Sequence, residues 1–374
     1  MKTDNSIGLY VHIPFCVRKC AYCDFASFPL ADLSWRAEYI YRLSAEIEQY
    51  SGQNISVDTV FFGGGTPSLL SGDDFSRITD SIRKSFSLSS NLEFTMEANP
   101  GTVTRENLKS YVECGVNRLS VGLQSIHQNE LKMLGRIHSY DDFLRTYELA
   151  RECGIENLNV DLMYGIPEQT VRSFTETVGS VAGLSPEHIS VYGLILEDGT
   201  RFSRMRDKLV LPDEDTECDM YYAAAEILSR HGYEHYEISN YAKRGKRCAH
   251  NLKYWNAEEY IGVGIAAYSY FRGRRFGNTK DPRVYISNFA ERYEYDEVIT
   301  ASDAAYEYAM LALRTSDGID LREYRSRFDE DFSESREALL TNYAELGFLK
   351  MTSERIALTE KGFYVSNAIL SELL

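Results

Sequence analysis

Three cysteines lie within eight positions near the start of the chain, and their spacing favours a metal site. Cys16, Cys20 and Cys23 form a CxxxCxxC motif directly after a short apolar run. Three thiolates on one loop can converge on one metal centre, and a cubane [4Fe–4S] cluster normally takes one cysteine on each iron. The motif therefore predicts a [4Fe–4S] cluster with one iron left open to bind another molecule.

Zinc is the alternative metal for these cysteines. A structural zinc site needs a fourth ligand, which His12 or Cys248 could supply. The remaining cysteines, Cys114, Cys153 and Cys218, are scattered, so a disulfide framework is not indicated. We expect Cys114 and Cys153 to pack as small apolar groups.

A glycine-rich segment and a carboxylate follow two of the next apolar runs. Gly64, Gly65 and Thr66 come after one run, and glycines there let a ligand approach backbone N–H groups closely. Glu97 ends the following run. A carboxylate at that point can accept a hydrogen bond from an ammonium group or a ribose hydroxyl.

Two later runs repeat this pattern. Gln124 ends one of them and Arg136 follows twelve residues later, while Asp161 lies in a mostly apolar run. A carboxylate among apolar residues is costly to bury without a partner. Polar residues at successive run ends together favour a ligand cavity over separate structural roles.

The elements that must position these residues form an α/β pattern over the first ~200 residues, with amphipathic helices between short strands. Working residues of barrel proteins lie at the carboxyl ends of the strands, where this sequence has them. We therefore predict an open, partial (β/α)6 TIM-like barrel, with a doubly wound sheet as the alternative. The predicted strands are Ile7–Ile13, Val57–Phe62, Leu92–Glu97, Val116–Leu123, Leu158–Met163 and His188–Leu194.

The alternation of strand and helix patterns stops near residue 211, and this divides the chain into three predicted regions. Residues 1–210 form the predicted barrel, 211–300 a Tyr-rich connecting region, and 301–374 a smaller α+β domain of winged-helix type. Such modules often bind DNA, but the segment from Ser316 onward has 7 basic and 12 acidic residues. A packing or lid role is favoured there.

The charge of the whole chain excludes several partners. Its 374 residues carry 40 basic and 56 acidic side chains, a net charge of −16. This disfavours nucleic acid held by phosphate contacts and allows at most peripheral contact with an anionic membrane. No apolar run approaches the ~20 residues that span a bilayer. The first seven residues are polar and too short for a secretory signal, so we expect a cytoplasmic protein.

The run YVHIPFC from Tyr10 to Cys16, followed by the two further cysteines, resembles the radical S-adenosylmethionine superfamily. The similarity is closest to the branch that holds the oxygen-independent coproporphyrinogen III oxidases and the HemW heme chaperones, and it covers essentially the whole chain. In that superfamily the open iron is chelated by the amino and carboxylate groups of S-adenosylmethionine. The resemblance implies the same cluster and cofactor here.

The strand-end residues match the same family. Gly64, Gly65 and Thr66 correspond to its glycine-rich motif, which meets the methionine amino end of S-adenosylmethionine. The implied division gives Glu97 and neighbouring polar groups to the ribose and sulfonium, and Tyr10 to the cluster-bound end. The residues that match the family's other S-adenosylmethionine contacts are Tyr10, Glu97, Gln124, Arg136 and Asp161.

The segment from His250 to Trp255 matches the HNxxYW motif of the heme chaperones, which is associated with heme binding. A neutral imidazole is a good axial ligand for iron, and Tyr254 and Trp255 offer flat surfaces. A basic stretch, Lys243–Arg247, could pair with propionates. The alternative is a surface histidine beside core aromatics. One departure concerns heme: Tyr268 stands where the family usually has histidine.

Two features separate the chaperones from the oxidases. The oxidases carry a further cysteine at the position of Phe25, and they have a longer segment ahead of the cluster motif. The leading hypothesis is a heme chaperone that binds the cluster, S-adenosylmethionine and heme and passes heme to hemoproteins. The alternatives are propionate decarboxylation of coproporphyrinogen III and another radical reaction on heme, which both need an electron donor.

Overall fold

The computed structural model describes residues 6–32 and 34–374, and its largest element is a twelve-stranded sheet. The six predicted strands are all present in it. They lie side by side in chain order, and every neighbouring pair is parallel, which confirms the predicted α/β class. These strands are β1 (Ile7–Ile13), β2 (Ser56–Gly64), β3 (Ser87–Ala98), β4 (Arg118–Gln124), β5 (Asn157–Tyr164) and β6 (His188–Gly193).

The segment after residue 211 adds strands to both sides of this sheet. An antiparallel pair continues it beyond β6, and a seventh parallel strand pairs with the other side of β1. The sheet ends at two different strands, so within the described residues it forms an open, partial barrel. The added strands are β7 (Glu234–Glu237), β8 (Asn240–Ala242), β9 (Tyr260–Val263), β10 (Tyr268–Phe271), β11 (Arg274–Asn278) and β12 (Tyr293–Val298).

Helices connect the parallel strands, and local signals fix their ends. The Ser71 hydroxyl accepts a hydrogen bond from the Asp74 N–H and so caps one helix, and Gly115 and Gly154 follow the ends of two others with positive φ. The helices of the barrel and connecting region are α1 (Arg36–Glu48), α2 (Gly72–Ser85), α3 (Arg105–Glu113), α4 (Gln128–Leu134), α5 (Tyr140–Glu152), α6 (Val171–Leu184), α7 (Glu214–Arg230), α8 (Ala249–Trp255) and α9 (Pro282–Ser287).

Side chains alternate between the two faces of the parallel strands. On β4, Leu119, Val121 and Leu123 are buried in the apolar core, while Arg118 and Ser120 face the interior of the curved sheet. The same alternation on the neighbouring strands gives the interior a polar lining. The sheet therefore carries its core on the outside, beneath the helices, and its polar side chains on the inside.

The C-terminal region has an apolar core of its own, which includes Tyr308, Leu313 and Phe332 together with Tyr221 of α7. It combines helices with a three-stranded antiparallel sheet, as the winged-helix-like pattern predicts. Its elements are α10 (Ala301–Ala312), β13 (Ile319–Asp320), α11 (Leu321–Phe328), α12 (Glu337–Glu345), β14 (Leu349–Met351), β15 (Arg355–Leu358), α13 (Glu360–Tyr364) and α14 (Ser366–Leu373).

None of the helices in the described ranges is long and apolar enough to cross a membrane. Residues 1–5, which entered the prediction about a secretory signal, lie outside those ranges.

Candidate radical S-adenosylmethionine site

The carboxyl ends of the parallel strands surround a cavity of about 450 Å³. Ten of the twelve residues predicted to bind the cluster, S-adenosylmethionine or heme line it, although they come from six different strands and loops. These ten are Cys16, Cys20, Cys23, Gly64, Gly65, Thr66, Glu97, Gln124, Arg136 and Asp161.

The three loop cysteines lie at one end of this cavity, and all three are free thiols. Burial raises the pKa of the Cys16 and Cys23 thiols. At Cys16 the Thr66 hydroxyl opposes this effect, since it donates to the sulfur across 3.7 Å. Three thiols on one short loop, with Cys16 buried and Cys20 and Cys23 partly buried, are the donor set that an iron–sulfur cluster takes.

The zinc alternative finds less support. Among the described residues, no group of three or more His, Cys, Asp and Glu side chains, the three loop cysteines included, is arranged to hold a single metal ion. The ring nitrogens of His12 bond to the Tyr10 hydroxyl at 3.1 Å and the Ala26 carbonyl at 2.8 Å. The Cys248 thiol donates to Glu93 at 3.5 Å. Both candidate fourth ligands are thus engaged elsewhere.

The glycine-rich turn after β2 lines the cavity with Gly64, Gly65 and Thr66. Gly64 has a φ of 107°, and a Cβ there would lie 2.4 Å from the His12 ring. At Gly65 a Cβ would lie 2.7 Å from the Phe15 carbonyl oxygen. Only glycine fits both positions. The turn brings the Gly64 N–H within 3.2 Å of the Glu97 carboxylate, which accepts its hydrogen bond.

A chain of hydrogen bonds runs from Arg136 to the cysteine loop. The Arg136 guanidinium donates to the Asn99 side-chain oxygen at 2.6 Å, and the Asn99 amide donates to the Thr66 hydroxyl at 2.8 Å. That hydroxyl is the one that donates to Cys16. A Cβ on Gly122 would lie only 2.8 Å from the Arg136 guanidinium. Glycine at this position of β4 therefore leaves the space that the Arg136 side chain needs.

Two partly buried acidic side chains, Glu97 and Asp161, line the same cavity. Burial, followed by the charge of Asp161, raises the pKa of Glu97 to about 8. Burial also raises the pKa of Asp161, although Asn159, Ser190 and Ser120 donate hydrogen bonds that oppose the shift. Such a pair favours a ligand that brings positive charge or hydroxyl donors between the two acids.

Several buried polar atoms in this cavity lack partners. Within the described part of the chain, three buried atoms have no hydrogen-bond partner: Gln124 Oε1, Arg118 Nε and Arg136 Nε. All three residues line the cavity, and Gln124 and Arg118 are more than nine-tenths buried. Gln124 also has a φ of 73°, in the left-handed region that is costly for a non-glycine residue. Unpaired buried groups fit a polar ligand with both donors and acceptors, as S-adenosylmethionine is.

Two predicted site residues do not line the cavity. Tyr10 lies just behind the wall, where its ring packs 6.3 Å from that of Phe61. His250 lies on α8 and is 1% exposed, so it is not the surface residue of the alternative interpretation. Its Nδ1 bonds to the Thr59 hydroxyl at 2.9 Å and its Nε2 to the Tyr254 hydroxyl at 2.8 Å.

The other residues considered for heme also have partners. Lys243 donates to the backbone and hydroxyl of Ser185, and Arg247 pairs with Asp317 at 2.8 Å. Tyr268 is 46% exposed on β10 and does not line the cavity. The structure therefore does not bring the basic stretch, His250 and the cavity together.

Sequence reasoning missed some residues of the site. Asn99 lies two positions after Glu97 at the same strand end, a signal that was available. Arg118 begins β4, at the amino end, where site residues are not expected, yet its side chain lines the cavity from below. A charged residue facing inward from a buried strand was its only signal. Asn251 lines the cavity because α8 packs beneath the sheet, which no local pattern shows.

Comparison with known proteins defines the class first. The Radical SAM superfamily model matches residues 10–181, and the HemN C-terminal domain model matches residues 299–365. The fold and the family models together define a radical S-adenosylmethionine protein. This class implies a [4Fe–4S] cluster and S-adenosylmethionine. When both are bound, the chemistry that they supply is one-electron reduction of S-adenosylmethionine by the cluster.

The particular family follows from full-length relatives. The chain is 35% identical to the heme chaperone HemW of Bacillus subtilis, with 98% of each chain covered, and 34% identical to that of Haemophilus influenzae over the same shares. It is 38% identical to HemW of Escherichia coli over 82% of each chain. The chain belongs to the HemW family.

A solved structure shares the whole fold. Coproporphyrinogen III oxidase (HemN) from Escherichia coli, a radical SAM enzyme, superposes with a TM-score of 0.86 over 98% of this chain and 90% of the other, at 24% identity. At this identity the likeness shows the fold, including the C-terminal domain, and not the reaction.

Proposed function

We propose that this protein is a heme chaperone that holds a [4Fe–4S] cluster and S-adenosylmethionine in the cavity and passes heme to hemoproteins. The observation that carries the proposal is the meeting of the three loop cysteines with polar groups from successive strand ends in one cavity. The names of the HemW relatives supply the heme-carrying role.

In this proposal Cys16, Cys20 and Cys23 hold the cluster. The amino-acid end of S-adenosylmethionine meets the Gly64–Thr66 turn, and Glu97 accepts from its ribose hydroxyls. The unpaired atoms of Gln124 and Arg136 supply an acceptor and a donor to the same molecule. Tyr10 supports the S-adenosylmethionine site from behind the cavity wall, where it packs against Phe61. An electron donor is needed only if the cofactor is cleaved.

For heme, the mouth of the cavity offers a matching surface. Three exposed apolar or aromatic side chains line the cavity, and two more, Val17 and Ile137, line a small adjoining pocket that shares Arg18, Cys20 and Arg136 with it. All five are 39–68% exposed, and we call them the mouth patch: Val17, Phe25, Ile137, Tyr192 and Ile195. Arg18 and Lys19 lie between them on the cysteine loop. An exposed apolar patch with adjoining cations suits a flat macrocycle with two carboxylates. We therefore place heme there.

His250 is the second candidate for contact with heme, as an axial ligand. This role requires the imidazole to give up one of its two bonds, to Thr59 or to Tyr254, because each ring nitrogen is already bonded. It also requires α8 to move, since the side chain is buried. The mouth patch needs neither change.

A paired titration tests the heme site. Heme is added anaerobically to the cluster-loaded protein and followed by its Soret absorption. We expect the double variant Phe25→Ser, Ile195→Ser to bind heme about tenfold more weakly, because apolar contact area is lost. The matched control is Leu346→Ser, Met351→Ser, exposed apolar residues of the C-terminal region. Equal affinity in both double variants would contradict the mouth patch, and loss of binding in His250→Ala would favour the histidine.

The oxidase is the alternative function, and the same preparation tests it. With reductant and S-adenosylmethionine present, coproporphyrinogen III is added and its products are analysed, with the Escherichia coli oxidase as positive control. We expect no conversion. Formation of protoporphyrinogen would overturn the chaperone proposal.

A further inference from the structure

The buried imidazole of His250 belongs to a stack of rings that leads to the cavity. It lies against Phe61 with the ring centroids 5.2 Å apart and the planes at 29°, and Phe61 in turn packs against Tyr10. Phe61 lines the cavity itself. The stack thus joins α8, below the sheet, to the wall of the S-adenosylmethionine site.

The cavity wall is closely packed around Gly63. A Cβ on Gly63 would lie 3.0 Å from Phe61, 3.0 Å from Tyr10 and 3.3 Å from the Glu97 carboxyl carbon. Phe61, Tyr10 and Glu97 therefore converge on one point of the strand. A shift of the Phe61 ring would change the space beside Glu97, where the ribose is placed in the proposed function.

The short helix α8 is anchored from several sides. Glu93 accepts hydrogen bonds from the N–H groups of Ala249 at 2.9 Å and His250 at 3.0 Å. Lys253, with a nearly buried side chain, pairs with Asp58 at 2.9 Å and Glu258 at 3.2 Å. Asn251, on the same helix, reaches the cavity. These contacts fix the helix as part of the cavity floor.

We propose that His250 is a positioning residue for S-adenosylmethionine: it holds Phe61 against the inner wall of the cavity through its bonds to Thr59 and Tyr254. The inference rests on the proposed function, in that S-adenosylmethionine occupies this cavity. In this role the HNxxYW segment supports the S-adenosylmethionine site from the floor of the cavity. The role requires no contact between His250 and heme.

A double-mutant cycle tests the link. The variants are His250→Ala, Phe61→Leu and the pair, each loaded with cluster, and the readout is the dissociation constant for S-adenosylmethionine from anaerobic equilibrium dialysis. We expect each single variant to bind about tenfold more weakly, because a buried aromatic contact is lost. The pair should bind no more weakly than the worse single variant, since both changes break the same contact.

A rescue variant and a matched control separate positioning from general stability. Glutamine in His250→Gln can bond to both hydroxyls and should restore most of the affinity, and it replaces His250→Ala in the cycle if the alanine variant does not fold. The control is His235→Ala, which removes a partly buried imidazole that stacks on Tyr241 and lies outside the cavity. It should lower the melting temperature and leave the affinity unchanged.

Three outcomes would overturn the inference: unchanged affinity in His250→Ala, effects of the two single variants that multiply in the pair, or an equal loss in the His235→Ala control. Weak or absent binding of S-adenosylmethionine by the unmodified, cluster-loaded protein would be a different failure. That result would contradict the proposed function, and it is read from the wild-type arm alone.

Discussion

At the scale of single residues, Asn99 links the cofactor end of the cavity to the cluster end. It accepts from Arg136 and donates to Thr66, whose hydroxyl reaches the Cys16 sulfur. Asparagine suits this place because it offers an acceptor and a donor from one planar group. Neither a carboxylate nor a hydroxyl of similar size would serve both neighbours equally well.

We expect Asn99→Ala to weaken S-adenosylmethionine binding while the cluster still forms. The change leaves the partly buried Arg136 guanidinium without this acceptor, which costs about 1.5–3 kcal/mol and corresponds to roughly 10- to 100-fold in affinity. Equilibrium dialysis measures the affinity and iron analysis measures the cluster. Asn342→Ala on α12, far along the chain in the C-terminal region, is the control. Unchanged affinity would remove Asn99 from the site.

The protonation of Glu97 gives a pH dependence whose sign is fixed. The pKa of its carboxyl group is raised to about 8 by burial and by the charge of Asp161, so the ligand-free protein holds this proton at neutral pH. The ionised form is the better acceptor for ribose hydroxyls. We therefore expect the affinity for S-adenosylmethionine to rise from pH 6 to pH 8 and then level off.

The variant Glu97→Gln checks this assignment. Its affinity should be weaker at pH 8 and should no longer rise with pH. The ligand-free protein gives a second measurement: because the folded-state pKa of Glu97 lies above its ordinary value of 4.5, wild-type stability falls as pH rises between these values. In thermal melts, the melting temperature of Glu97→Gln should rise relative to that of the wild type as the pH increases from 4.5 to about 8. Parallel curves of melting temperature against pH would contradict the raised pKa.

At the scale of elements, the strand ends were predictable and the floor of the barrel was not. The cysteine motif, the glycine turn and the polar residues after β3, β4 and β5 each carry a local signal, and parallel strands bring such ends together. Arg118 and Asn251 carry no such signal, because they reach the cavity from the amino end of β4 and from α8. The seventh parallel strand, β9, was missed because it has four residues and follows a seven-residue helix.

The anchoring of α8 leads to a prediction about Glu93. Its carboxylate accepts from two N–H groups at the start of this helix. Glu93→Ala removes both partners and should lower the free energy of unfolding by about 1–2 kcal/mol, as loss of a helix cap does. Urea denaturation of the cluster-free protein measures this. Glu148→Ala, at an exposed position on α5, should change it little, and equal losses would argue against the anchoring.

At the scale of the whole molecule, the connecting region completes the sheet instead of merely joining two domains. Residues of the predicted Tyr-rich connecting region supply β7 to β12, which flank the six barrel strands on both sides. The sequence suggested the C-terminal module and its charge, but not this extension of the sheet, because long-range strand pairing has no local pattern. The acidic average of the chain likewise conceals Arg18 and Lys19 beside the cavity mouth.

The central claim, that this molecule delivers heme, is tested most directly by a transfer measurement. Cluster-loaded protein carrying S-adenosylmethionine and one equivalent of heme is mixed anaerobically with apomyoglobin as the acceptor, and the Soret spectrum is followed over time. We expect heme to appear intact in the acceptor, faster than from serum albumin used as a passive heme carrier. Heme that stays bound, is consumed, or moves no faster than from albumin would contradict the claim.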